Sequence, residues 1–287
     1  MLEIYKREIG AYYKGLSGWL FGAAFLFFVG LYIIMVNFNM AYPNFEYTLN
    51  NIAFVYIILI PVLTMRSFSE ERKQKTDKLL YSLPIKMSQV LLGKYLALIT
   101  VLVLPVAVML VYPLILKSLG ATTLSAAYAS IFGFWLLGAT LTAIGMFISS
   151  LTENLALAAG GSFTVFLLIY FGTSLSDYLP SGARVSFFAL CICWVAVSGF
   201  ICLLTRNLPL SAVILALALG GTSVAYARES VAFVGLMQNV AAELSLFSRY
   251  YEYANGVLDL RTVLYNITVI GIFLYLTELS LERRRWS

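Results

Sequence analysis

The side chains best suited to covalent or metal chemistry are three cysteines, Cys191, Cys193 and Cys202, and all three lie inside one apolar stretch. Cys-x-Cys spacing suits a soft metal, but the 287 residues contain no histidine to complete a site. An odd count offers no disulfide framework, so the three read as small apolar packing residues. The missing histidine also removes Ser-His and Cys-His nucleophilic sites and most zinc chemistry. No GxxxxGK[ST] loop is present, so the chain is not expected to hydrolyse ATP. Glu153, Asp177 and Glu278 are scattered near the ends of apolar stretches and form no acid–base pair. No catalytic, cofactor-binding, metal or substrate residue is assigned.

What remains is recognition chemistry, concentrated in the segment Arg66–Gln89. Ser67 and Glu70 have capping-box spacing, so the apolar stretch before them continues or restarts as a charged helix. Thr76 is an N-cap candidate for a short helix Asp77–Ser82 that ends before Pro84. Ser88 can cap the helix that follows. Leu79, Leu80, Tyr81 and Leu83 are then presented from an otherwise charged loop, a shape that fits a groove on a partner. An ordinary charged loop that only fixes topology is an equal alternative on these residues alone.

The elements that hold this loop are membrane helices. Hydrophobic residues make up 61% of the chain and charged residues 11%, against roughly a quarter charged in soluble domains. Most of the surface must therefore face lipid. Eight apolar stretches approach the length of a span: Ser17–Asn37, Asn50–Met65, Val90–Leu116, Leu124–Leu151, Leu155–Leu175, Val185–Leu204, Leu208–Ala227 and Thr262–Leu281. The second is short and must extend at one end. The sixth and seventh are a tight hairpin or two shallower segments. Lys94 and Glu278 fall near span ends, where long side chains snorkel to the interface.

With the N-terminus inside, 14 of the 19 Lys and Arg residues are cytoplasmic and five external, so both termini are expected in the cytoplasm. The net charge of +5 is thus a topological signal and not a nucleic-acid footprint. The basic-then-apolar start resembles a signal peptide, but its apolar run is too long and lacks a small-x-small site, which predicts an uncleaved first span. Before it, Leu2, Tyr5, Ile9, Tyr12, Tyr13 and Leu16 share one helical face, as in an interfacial helix over 1–16, or in a straight extension of the first span. An outer turn lies near Ala41–Asn44, and the outer segment 228–261 is apolar enough to dip into the interface as short helices. Pro105 and Pro113 mark the third span as the one expected to kink. The many aromatic residues are read as interfacial anchors.

Several segments together resemble one family. Glu70-Glu71, Thr76, Leu79-Leu80 and Leu83-Pro84, followed by Gly93-Lys94, are similar to the cytoplasmic signature of type-2 ATP-binding-cassette (ABC) exporter permeases. Lys6-Arg7-Glu8 with Tyr12-Tyr13 resembles that family's interfacial elbow, and Ile148–Asn154 its tight inner turn. Gly256–Arg261 and Leu281–Trp286 are similar to the gliding-motility-type branch. The resemblance implies an all-α, polytopic bundle acting as one permease domain over 1–287, with a six-span core to which Val185–Ala227 adds an inserted hairpin. It implies a non-enzymatic subunit in a bacterial plasma membrane, paired with a second permease copy or a homologous subunit. A cytoplasmic ATPase dimer would carry ATP and Mg and dock on Glu70, Glu71, Thr76, Asp77, Leu79, Leu80, Leu83 and Pro84. One departure stands out: the family usually has glycine before the loop threonine, and this chain has Lys75. A secondary carrier is the alternative, disfavoured because no ionisable group falls near the middle of a predicted span.

Overall fold

The structure, a computed structural model, describes residues 1–40, 42–76, 86–118, 123–178, 182–205, 208–236, 238–239, 245–254 and 259–285. Among these residues it is all helix, with no strand. Two compact units are present, Met1–Tyr170 with Leu246–Ser287, and Phe171–Ser245.

The first unit begins with α1 (Leu2–Lys14), which turns at Gly15 and Leu16 into α2 (Ser17–Tyr32). A Cβ on Gly15 would lie 2.6 Å from the Ala11 carbonyl oxygen, so the turn has no room for a side chain there. Leu16 takes a left-handed φ of 63°, which breaks the helix, so α1 is not a straight extension of the first span. A π-helical turn (Ile33–Asn39) closes this first span, and Asn37 Nδ2 ties the turn that follows by donating to the carbonyls of Tyr42 (2.8 Å) and Asn44 (3.3 Å).

Next come α3 (Phe45–Ile52), α4 (Val55–Thr64) and α5 (Arg66–Lys73). The second span therefore extends at both ends, not one. Its arms, Phe45–Ile52 and Val55–Lys73, meet at a 56° bend. Met65 keeps helical dihedrals between α4 and α5, so the helix never restarts and the Ser67–Glu70 capping box is not used.

The third span is α6 (Met87–Met109) with α7 (Tyr112–Ser118). It breaks at Leu110–Val111, where the Pro113 ring would otherwise meet the carbonyl of Met109, while Pro105 is carried inside α6. Then follow α8 (Leu124–Leu151) and α9 (Leu155–Tyr178), which belongs to this unit as far as Tyr170, with α12 (Leu246–Ala254) and α13 (Leu260–Arg285) completing the unit.

Helix α8 is the axis of this unit. Of its most apolar window 78% is buried, against 17–39% in the unit's other long spans. An interior aromatic column runs past it: Tyr56 stacks on Phe134 at 4.3 Å, with Phe25 and Tyr250 at 5.9 Å on either side. These aromatics are core, not interfacial anchors. Within the bilayer such rings hold by packing, each aromatic pair contributing about 0.5–1.5 kcal/mol.

The second unit contains α10 (Ala183–Thr205), α11 (Leu208–Arg228) and a 3₁₀ turn (Ser230–Phe233). Phe187 near the start of α10 meets Tyr226 near the end of α11 at 4.8 Å, so the two helices run antiparallel as a hairpin. Among the described residues of both units, six helices are long and apolar enough to cross a membrane, and a seventh if the bent pair counts as one; Ala183–Val195 is an apolar stretch shorter than a span.

Candidate functional site

Five of the eight residues expected to dock a partner, Asp77, Leu79, Leu80, Leu83 and Pro84, lie outside the described residues, with the rest of 77–85. Glu70, Glu71 and Thr76 are described, and they form the root of the loop. Helix α5 ends there in a Schellman motif. The Thr76 amide donates to the Glu71 carbonyl at 2.9 Å and the Lys75 amide to the Arg72 carbonyl at 3.0 Å. Such an end needs a left-handed residue, and Lys75 supplies it with φ 57°. The glycine expected at this position would adopt that conformation without a Cβ penalty, so the departure at Lys75 leaves the motif intact but strained. Thr76 Oγ1 also donates to the Glu71 carbonyl, at 3.2 Å, so its hydroxyl closes the helix before it.

The Glu71 side chain points back into the protein and joins a ring of four ion pairs. Arg7 contacts Glu8 at 2.9 Å and Glu71 at 3.1 Å. Lys94 contacts Glu8 at 3.0 Å and Glu71 at 2.9 Å. Each cation touches each anion, so the ring is neutral and links α1, α5 and α6. Its edges differ in energetic weight. Lys94 is 2% exposed and Arg7 55%, so the Lys94 edge is desolvated while the Arg7 edge is screened by water. Burial alone would raise the Glu8 carboxyl; the charge of Lys94 and the hydrogen bonds from Arg7 and Lys94 outweigh it and hold the group below its ordinary range. The hydrogen bond to Glu8 raises Arg7 in turn, against its partial burial.

Local sequence explains why these groups meet. Ile4 and Tyr12 are the buried apolar residues of α1, and Glu8 lies between them on the same i, i+4 stripe. Of the face expected to lie in the interface, Tyr12 is instead buried on this stripe, while Leu2, Tyr5, Ile9, Tyr13 and Leu16 form the other, more exposed side. Helix α1 approaches α6 closely at Gly93, where a Cβ would sit 3.2 Å from the Ile4 Cβ and from the Met1 carbonyl. Gly93 admits α1 and Lys94 then binds its carboxylate, which gives the Gly-Lys pair a physical role. Lys94 is thus no snorkelling residue: it is the eighth residue of α6 and faces inward. Glu70 stays outside the ring, 4.0 Å from Arg66.

The turn between α8 and α9 braces the same helix. Ser149 Oγ, near the end of α8, donates to the Met65 carbonyl at 3.0 Å and lies 3.3 Å from the amides of Phe68 and Ser69. Between α8 and α9, Asn154 Oδ1 caps α9 by accepting the Ala156 amide at 2.9 Å. Near the C-terminus, Arg284 donates to the Leu151 carbonyl at 3.2 Å and pairs with Glu153 at 3.3 Å. Segments read separately in the sequence, namely 6–8, 70–76, 93–94, 148–154 and 281–285, thus join in one contiguous framework around α5.

A cleft of about 510 Å³ opens beside the ring and is lined by charged groups of both signs. Among the described residues no cluster of acids and cysteines could hold a metal ion. Among the described residues the framework braces α5 and offers no group for covalent chemistry.

No curated protein and no solved structure matches the chain. A family model described as "ABC-2 family transporter protein" matches residues 35–187, just over half of the 287. Permeases of that family pair with ABC ATPases and carry no cofactor of their own. The chain belongs to the ABC-2 transporter family, as a polytopic, non-catalytic membrane subunit.

Proposed function

We propose that this subunit is the permease of an ABC exporter of the gliding-motility-type branch, in a bacterial plasma membrane. It acts as a single domain, beside a second copy or a homologous subunit, above a cytoplasmic ATPase dimer. The observation that carries this reading is the neutral ring of ion pairs at the root of the 77–85 loop. A loop that only fixed topology would need no buried cation beneath it; a loop that receives force does. Glu70, Glu71, Thr76, Asp77, Leu79, Leu80, Leu83 and Pro84 form the docking element.

ATP-driven closure of the ATPases displaces this element. Helix α5 carries the displacement, because Lys94 couples it to α6 and Ser149 couples it to α8. In this reading the α10–α11 hairpin spans the bilayer twice, giving eight crossings with both termini in the cytoplasm, as the distribution of basic residues requires.

Burying a leucine stabilises a docked loop by about 1.5–3 kcal/mol. Leu79→Ala with Leu80→Ala is therefore expected to insert normally but lose the copurifying ATPase, or retain it with hydrolysis uncoupled from transport. Wild-type ATPase binding and wild-type transport in a well-expressed double variant would overturn the docking assignment.

A further inference from the structure

Between α2 and α4, next to the ring, lies an apolar slot of about 200 Å³. Phe21, Ala24, Leu59 and Leu63 line its interior, and Leu20 (66% exposed) and Val62 (51% exposed) form lips open to the hydrocarbon. Ser17 and Arg66 stand at its polar end, and both also line the charged cleft. The slot is therefore apolar at membrane depth and continuous with a charged mouth on the α1 side. That is the profile of one lipid chain with its headgroup.

The charges at the mouth select the headgroup. Arg7, Glu8, Glu71 and Lys94 neutralise one another in the ring. Arg66 and Glu70 do not take part; their pair is loose, at 4.0 Å, and they are 44% and 42% exposed. One available cation beside one available anion matches a headgroup that carries both a phosphate and an ammonium. A singly anionic headgroup would meet Glu70 unfavourably. We propose that the slot is a binding site for a phosphatidylethanolamine from the leaflet on the α1 side. Its acyl chain lies between α2 and α4, its phosphate accepts from Arg66 and its ammonium pairs with Glu70. A lipid seated there would fill the angle between the elbow and the root of α5, steadying the element that holds the loop.

The test is independent of the ATPase partner. Purified protein is reconstituted in nanodiscs of equimolar phosphatidylethanolamine and phosphatidylglycerol, then released into detergent for native mass spectrometry. The wild type should retain one phosphatidylethanolamine in preference to phosphatidylglycerol. Arg66→Gln removes a charge-assisted hydrogen bond and should lower that retention about tenfold. Arg66→Lys should preserve much of it, and Glu70→Gln should shift the preference toward phosphatidylglycerol. Ala24→Phe, which fills the slot and leaves the mouth untouched, should abolish retention of either lipid. Equal retention of the two lipids by the wild type would mean annular lipid only and would overturn the proposal. So would wild-type retention in both Arg66→Gln and Ala24→Phe, or a Val62→Cys disulfide between copies showing that a second subunit covers the slot.

Discussion

Replacing Lys94 with Met tests whether the ring is structural. Methionine keeps much of the stem's bulk, so packing against Phe68, whose ring lies 5.4 Å from the ammonium, is largely preserved. What disappears is a cation 2.9 and 3.0 Å from two carboxylates, at a site where Lys94 is 2% exposed, Glu8 12% and Glu71 22%. Removing one member of a buried ion pair costs about 3–5 kcal/mol. Both carboxylates retain some access to water and to Arg7, so the lower end, about 3 kcal/mol, applies here. In nanodiscs the variant should unfold several degrees below the wild type by tryptophan fluorescence. Adding Glu8→Gln and Glu71→Gln removes the stranded charges and should restore most of the loss. The pH dependence gives a second readout. The folded Glu8 carboxyl is held below its ordinary value, so its stabilisation is present above the unfolded range near about 4.3 and fades as pH falls through the folded value. Lys94→Met should flatten that acid-side loss. A lone Lys94→Met with wild-type unfolding and pH dependence, or a triple variant no more stable than the single, would refute the reasoning.

Other outcomes follow from single contacts. Lys75→Gly should stabilise by about 0.5–1 kcal/mol, since the left-handed position no longer carries a Cβ, while Lys75→Val should destabilise; thermal unfolding of the pair reads both. Gly93→Val should drive α1 off α6 and expose Tyr12 and Glu8 to faster hydrogen exchange, because its Cβ would already press on Ile4 at 3.2 Å. Cysteine substitutions in a cysteine-free background should label from outside intact cells at 44 and 238 but not at 75 or 207; labelling at 75 before lysis would reverse the topology.

Much of the scaffold was legible because it is set by local hydrophobic length. A helix occupies each of the eight apolar stretches, and Leu124–Leu151 keeps its predicted bounds. The turn at Ile148–Asn154 was legible for the same reason, as a polar break between two apolar runs. The ring was not, because its pairs join residues far apart in sequence: Arg7 and Glu71 are 64 positions apart and Glu8 and Lys94 86. A signal was available in the Ile4-Glu8-Tyr12 stripe, which puts a carboxylate on the buried face of α1 and requires a cation opposite it. Lys94 could have answered, but at residue level it looks like any lysine near a span end. The bend near Ala53 was hidden because Asn50 and Asn51 before it read as the start of the span and no Pro or Gly marks the break, and the interior aromatic column by the general abundance of aromatics at membrane interfaces. The two prolines of the third span were distinguishable only by context. Pro105 is absorbed inside α6, whereas Pro113 falls where the helix breaks.

The central claim is that the loop rooted on this ring docks an ATPase, and photocrosslinking from the loop tests it most directly. A benzophenone amino acid placed at Leu79 in the full-length protein, irradiated in intact cells, is expected to yield one dominant protein adduct. Peptide sequencing of that adduct should find a GxxxxGK[ST] phosphate loop, and a benzophenone at Tyr47, at the other end of the bundle, should not produce it. An adduct at Leu79 confined to lipid, or to a protein without that motif, would contradict the account.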